Sequence, residues 1–288
     1  MTQRSATMDT LFGRLARLRL AFARRAHAET SFTSAAGYEA MMAWYAACAE
    51  HASVPVESLA VPTRYGETHL LAAGPADAPP VVLLHGTEGT ALSWRYQLRD
   101  LAADFRLYAL DVIGSAGKSA AARPAYVGPG YAEWLADVLD GLGLERASFA
   151  GMSNGAWLIV KLAGLDSRRV AGAVLISVNG LAPIRPFYHV TRVMEWGAIR
   201  IPLGVVAGRV LTRKRVRAVM AAATPPGVPI DQDEVEWFYL LARHYRFRFP
   251  PPPLRDDELQ KLAAPTLLLM GERDQFFPVA AVVARARA

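Results

Sequence analysis

From residue 54 onward, short apolar runs alternate with segments whose apolar positions recur at helical spacing, a pattern that predicts an α/β domain with a mostly parallel sheet. Residues 54–61 and 68–73 read as two opening strands joined through a Tyr65-Gly66 turn. The run Val81-Val82-Leu83-Leu84 suits a strand buried on both faces. A helix near 91–103 and a strand at 106–110 follow, and a helix near 131–142 leads into a strand at 147–150. Residues 156–165 are helical in pattern and 170–178 strand-like. The alternation stops between 181 and 262, resumes with a buried strand at 266–270, and gives way to a helix at 279–287. The chain therefore divides into a basic N-terminal arm (1–35), helical or disordered, a first part of the core (36–180), a helical cap or lid insertion (181–262), and a C-terminal part of the core (263–288).

Composition narrows the chemistry. A chain of 288 residues, 52% hydrophobic and 20% charged, is long enough to bury one large core. The single cysteine, Cys48, lies in an alanine-rich helical run and reads as a small buried filler. With no Cys/His ligand spacing, neither a metal nor a cofactor is expected. The net charge of +6 comes largely from the arm, where Arg4, Arg14, Arg17, Arg19, Arg24 and Arg25 face only Asp9 and Glu29. The body is nearly balanced and lacks a basic stripe interleaved with aromatics, so no nucleic-acid partner is expected. No apolar run reaches the ~18 residues that span a bilayer, so no transmembrane segment is expected and the location is read as cytoplasmic. Residues 11–26 alternate apolar side chains with arginine as a basic amphipathic helix could, so a membrane-surface or targeting role stands as the alternative to a loosely docked extension.

The motif Gly151-Met152-Ser153-Asn154-Gly155 falls where an apolar strand gives way to a helix. A serine on such a sharp turn is exposed above the sheet, and the helix N-terminus behind it favours a developing negative charge. Three further motifs accompany it: His85-Gly86-Thr87 after the strand 81–84, the glycine turn running from Asp111 through Gly114 and Gly117 to Ser119, and Gly271-Glu272-Arg273-Asp274 after the strand 266–270. With these four in order, the chain from about residue 54 to its end resembles the α/β-hydrolase superfamily, in particular small bacterial esterase-like serine hydrolases.

The resemblance implies an α/β-hydrolase fold, a mostly parallel central sheet flanked by helices with a helical cap inserted. It also implies Ser153 as nucleophile, backbone N–H groups of Thr87 and Asn154 as the oxyanion hole, and Asp274 as the acid that orients a base, with Asn179 the other polar candidate at a strand end. Asp111 and His85 are expected to brace their loops. Serine at position 153 argues against dehalogenase-type and epoxide-hydrolase-type chemistry, for which the family uses aspartate. The expected substrate is a small-molecule ester or acyl compound with an apolar group, because the insertion contributes Phe187, Tyr188, Trp196, Trp237, Phe238, Tyr239, Tyr245 and Phe247 either to a pocket or to its own core.

The family's base histidine follows the acid, and no histidine follows Asp274 here. Three readings follow: a chain that stops short of the C-terminal strand and helix bearing that histidine, a substitute base at His244 or His189, or a catalytically inactive binding or interaction protein of this fold. The first leaves the strand 266–270 as an unprotected apolar sheet edge, through which copies could self-associate.

Overall fold

A computed structural model describes residues 31–52, 55–184, 211–225, 227–248, 251–274 and 276–288. The basic arm up to residue 30 and the start of the insertion, with Phe187, Tyr188, His189 and Trp196, lie outside the described residues.

A seven-stranded sheet runs in the order β1-β2-β4-β3-β5-β6-β7. Its strands are β1 (Glu57–Thr63), β2 (Gly66–Ala73), β3 (Pro80–Leu84), β4 (Arg106–Leu110), β5 (Ala147–Met152), β6 (Val170–Ile176) and β7 (Thr266–Leu269). β1 and β2 form an antiparallel hairpin in which Thr63 faces Gly66, and β2 is antiparallel to β4. The remaining neighbours are parallel. The sheet and nearly every core strand thus fall where the apolar pattern places them. The strand expected at 170–178 ends two residues early, because Ser177 takes a left-handed φ of 43° that breaks the extended run.

Alternation within each strand divides the core between two faces. Val82, Leu84, Tyr108, Leu110 and Phe149 point to one side, where they meet α3 (Gly130–Gly141) and α4 (Asn154–Leu165). Leu83, Leu107 and Ala109 point to the other, against α1 (Ala35–His51) and α2 (Arg95–Leu101). Burial on both faces is the physical reason these strands read as uninterrupted apolar runs. Trp134 and Trp157 are fully buried on the first side, and the Trp134 indole N–H donates to Thr68 Oγ1 at 2.8 Å. β7 is the outermost strand, with Leu267 54% and Leu269 43% exposed.

Ser34 caps α1 by accepting from the Gly37 N–H at 3.1 Å, and Cys48 is buried on that helix. Burial pushes the Cys48 thiol up to about 11, which suits an inert filler. Between β6 and β7 the described residues form α5 (Arg213–Ala223), α6 (Gln232–His244) and the short α7 (Asp256–Leu259). α6 lies on α1: Trp237 stacks on Trp44 with centroids 4.4 Å apart, and the Trp44 indole donates to the Asp233 carbonyl at 2.9 Å. Trp237 therefore serves the packing of insertion on core. α8 (Val279–Arg287) follows β7 and buries Val282.

Candidate active site

Parallel strands that end in register bring their C-terminal loops to one edge of the sheet. Leu84 of β3 is level with Leu110 and Gly151, Met152 with Ile176, and Ile176 with Leu269. His85, Asp111, Ser153, Asn179 and Asp274 each follow one of these strands and so gather along that edge.

Ser153 alone makes the turn between β5 and α4, at φ 52° and ψ −108°. A non-glycine residue in this region carries strain of order 1–3 kcal/mol and persists only where its surroundings hold it. Here the Ser153 N–H donates to the Ile176 carbonyl at 2.8 Å, while its carbonyl accepts from Trp157 and Asn179 N–H groups, both at 3.2 Å. The turn also requires glycine on both sides. A β-carbon on Gly151 would sit 2.5 Å from the Gly155 carbonyl carbon, and one on Gly155 would overlap the Leu84 carbonyl. Asn179 is 5% exposed; its N–H serves the elbow, and it stands in the turn after β6.

The loop after β3 closes over the elbow, its Gly86 lying so near that a β-carbon there would be 3.4 Å from Ser153 Cβ. Thr87 follows on this loop, exposed, and Asn154 opens α4 with 8% exposure. His85 holds the loop in shape: its Nδ1 lies 2.7 Å from the Gly86 carbonyl and its Nε2 accepts from Val112 N–H at 3.0 Å. Burial lowers the His85 pKa, against the Gly86 hydrogen bond and the Asp111 charge, which act to raise it. The ring is thus neutral, with the proton on Nδ1 assigned by its partners.

Asp111 is fully buried and accepts from the Ala91 N–H at 2.7 Å, the Lys118 N–H at 2.9 Å and His69 Nδ1 at 2.7 Å. Burial acts to raise its pKa, but the His69 hydrogen bond and charge, followed by the two N–H groups, outweigh it and hold the carboxyl below its usual range. Both residues brace loops, as their positions imply. His69 and its hydroxyl partner Ser58, joined at 2.8 Å, carry no local signal in the sequence and were not legible there.

Asp274 accepts at one oxygen only: Oδ1 takes the N–H groups of Phe276 (2.8 Å) and Phe277 (3.0 Å). Oδ2 has no hydrogen-bond partner among the described residues. Ser153 Oγ likewise has none among them. His244 packs its ring against Gly37 of α1, so the structure does not bring it to Ser153. His51 faces Asp233 at 3.3 Å, and His69 and His85 are held as described.

Beside the elbow lies a cleft whose walls include Thr87, Asn154, Tyr126, Tyr131, Tyr245 and Arg248. Tyr245, from the insertion, reaches it through hydrogen bonds to the Gly114 carbonyl (3.1 Å) and from Arg123 (2.8 Å). Phe238 and Phe247 are exposed instead. A second hollow, bounded by His51, Arg95, Tyr96 and Asp231, shares no lining residue with this cleft.

Residues 79–203 match the family profile described as the alpha/beta hydrolase fold. Carboxylesterase YbfK of Bacillus subtilis (strain 168) is 42% identical over 125 residues, 43% of this chain and 42% of that protein. The chain spans less than half the length of the curated carboxylesterases it matches. Among solved structures, carboxylesterase CesB (YbfK) from Bacillus subtilis superposes with a TM-score of 0.69 at 27% identity, covering 86% of each chain. Naproxen esterase (carboxylesterase NP) from the same species gives 0.67 at 27% identity, covering 86% of this chain and 85% of that one.

Proposed function

Because the chain is an esterase-like protein of the α/β-hydrolase fold, we propose that it hydrolyses carboxylic esters through an acyl-enzyme on Ser153. The observation that carries this is the strained turn of Ser153 between β5 and α4, directly under the loop that bears Thr87. Ser153 Oγ attacks the ester carbonyl carbon, and the oxygen that gains charge accepts from the N–H groups of Thr87 and Asn154. Collapse of the tetrahedral species expels the alcohol, and water then releases the acid.

The proton of Ser153 needs an imidazole acceptor. Among the described residues the histidines are all held elsewhere, so the acceptor lies outside them, and Asp274 Oδ2 is the open carboxylate oxygen that would orient it. His189, outside the described residues, stays within this reading as a base. The non-catalytic alternative is not favoured, given relatives named as carboxylesterases.

Tyr126, Tyr131 and Tyr245 give the cleft aromatic walls, which support an ester with an apolar group. The insertion 181–262 acts as its cap. No described helix is long and apolar enough to cross a membrane. A cytoplasmic location and pairing of copies along the exposed edge of β7 belong to the same reading. A series of p-nitrophenyl esters of increasing acyl length tests the function: the longer acyl chains are expected to give the higher kcat/KM, and buffer-level hydrolysis of every member would refute it.

A further inference from the structure

Ser153 has no histidine at its hydroxyl among the described residues, yet a hydrogen-bonded serine, histidine and aspartate do meet elsewhere on this chain. Ser58 stands on β1, the outermost strand at the other end of the sheet, and His69 on β2 beside it. In the register Ala60 faces His69 and Ser58 faces Leu71, so Ser58 and His69 are diagonal neighbours, within reach of long side chains. Ser58 Oγ lies 2.8 Å from His69 Nε2, and His69 Nδ1 lies 2.7 Å from Asp111 Oδ2.

Asp111 and His69 are each held by groups outside the three. Asp111 is 0% exposed, and the Ala91 and Lys118 N–H groups aim at its two oxygens, which keeps an acceptor-only carboxylate facing the imidazole. That carboxylate accepts from His69 Nδ1 and leaves Nε2 directed at the Ser58 hydroxyl. The ring is 8% exposed and is held edge-on by Tyr45, with centroids 5.8 Å apart. Ser58 itself is exposed. A base with a fixed tautomer, an orienting carboxylate and a reachable hydroxyl are the components that activate a serine, whatever their order along the chain.

We propose that Ser58 is a second nucleophilic serine, activated by His69 and Asp111, which accepts an acyl group from activated aryl esters independently of Ser153. The Ser58 oxygen bonds to the ester carbonyl carbon while its proton passes to His69 Nε2. The bond from that carbon to the aryl oxygen then breaks, and the phenolate takes the proton from His69, leaving acyl-Ser58 and free phenol. Ser58 sits on a regular strand and not at a helix N-terminus, so it lacks the pair of converging N–H donors that speed both steps at an elbow. The modification is therefore a stoichiometric one.

A fluorophosphonate probe applied to the intact protein, with peptide mapping by mass spectrometry, tests this on three serines at once. Ser34 is exposed too, but its hydroxyl oxygen serves only as the cap of α1, so it is the internal control. The proposal expects the Ser58 peptide to label about a hundredfold or more faster than the Ser34 peptide. It also expects Ser58 labelling to persist in Ser153→Ala, to vanish in Ser58→Ala and to fall to the Ser34 rate in His69→Gln. Equal rates at Ser58 and Ser34 in the unsubstituted chain would overturn it, a comparison that does not depend on any variant folding. Failure of Ser153 to label would leave this result untouched, because the two serines are read on separate peptides.

Discussion

Gly155, the second residue of α4, lies against the carbonyl oxygen of Leu84 at the end of β3, with no room between them for a β-carbon. This contact draws the helix N-terminus under the loop after β3, whose Gly86 lies close to Ser153. Alanine at 155 must push β3 and α4 apart, at a cost of about 1–3 kcal/mol for overpacking. Gly164, on the same helix, has nothing within 4 Å of its would-be β-carbon. Alanine there is expected to stabilise by about 0.5–1 kcal/mol through helix propensity. Denaturant unfolding of the two variants checks both signs, and esterase activity should fall only in Gly155→Ala.

The two oxygens of Asp274 separate its structural role from its proposed chemical one. Asparagine keeps an Oδ1 that can accept from Phe276 and Phe277, whereas alanine removes it. Asp274→Ala should lose about 1 kcal/mol or more of stability as those bonds go, and Asp274→Asn should lose much less. Both should lose activity on the order of a hundredfold or more if the charge orients the base. Parallel urea titrations and steady-state kinetics distinguish these effects.

A neutral, buried His85 makes the loop after β3 sensitive to acid. Its pKa lies below its ordinary value of 6.5, chiefly through burial, so the unfolded chain takes up the proton first. The stability it contributes is complete above about pH 6.5 and is lost as pH falls toward the folded pKa. Protonation would also aim an Nε2–H at the Val112 N–H. Glutamine can donate to Gly86 and accept from Val112 without titrating, so the drop in urea midpoint from about pH 7.5 to about pH 5.5 should shrink in His85→Gln. His244 is lowered in the same direction by burial and by Arg243, and a His244→Gln control isolates its share.

The parts of this molecule that were legible in its sequence are those built from local patterns. Val81-Val82-Leu83-Leu84 has to be apolar throughout because Val82 and Leu84 face α3 and α4 while Leu83 faces α1 and α2. The elbow is legible because the strained Ser153 needs small neighbours on both sides, so the glycines mark it. Long-range arrangements leave no such trace. His69 is simply one residue of an alternating strand until the hairpin sets Ser58 diagonal to it and β4 delivers Asp111, 42 residues on. Trp237 could have lined a pocket as easily as a helix contact, and only the docking of α6 on α1 decides that it stacks on Trp44. The arm of 1–35 was bounded by charge alone. α1 begins at its last residue, set by the Ser34 cap.

Steady-state hydrolysis of p-nitrophenyl butyrate by the intact protein and by Ser153→Ala measures turnover at Ser153. The elbow predicts a fall in kcat/KM on the order of a thousandfold or more in Ser153→Ala with the fold unchanged by circular dichroism. At most a single burst from Ser58 would remain. Equal steady-state turnover by the two proteins would contradict it.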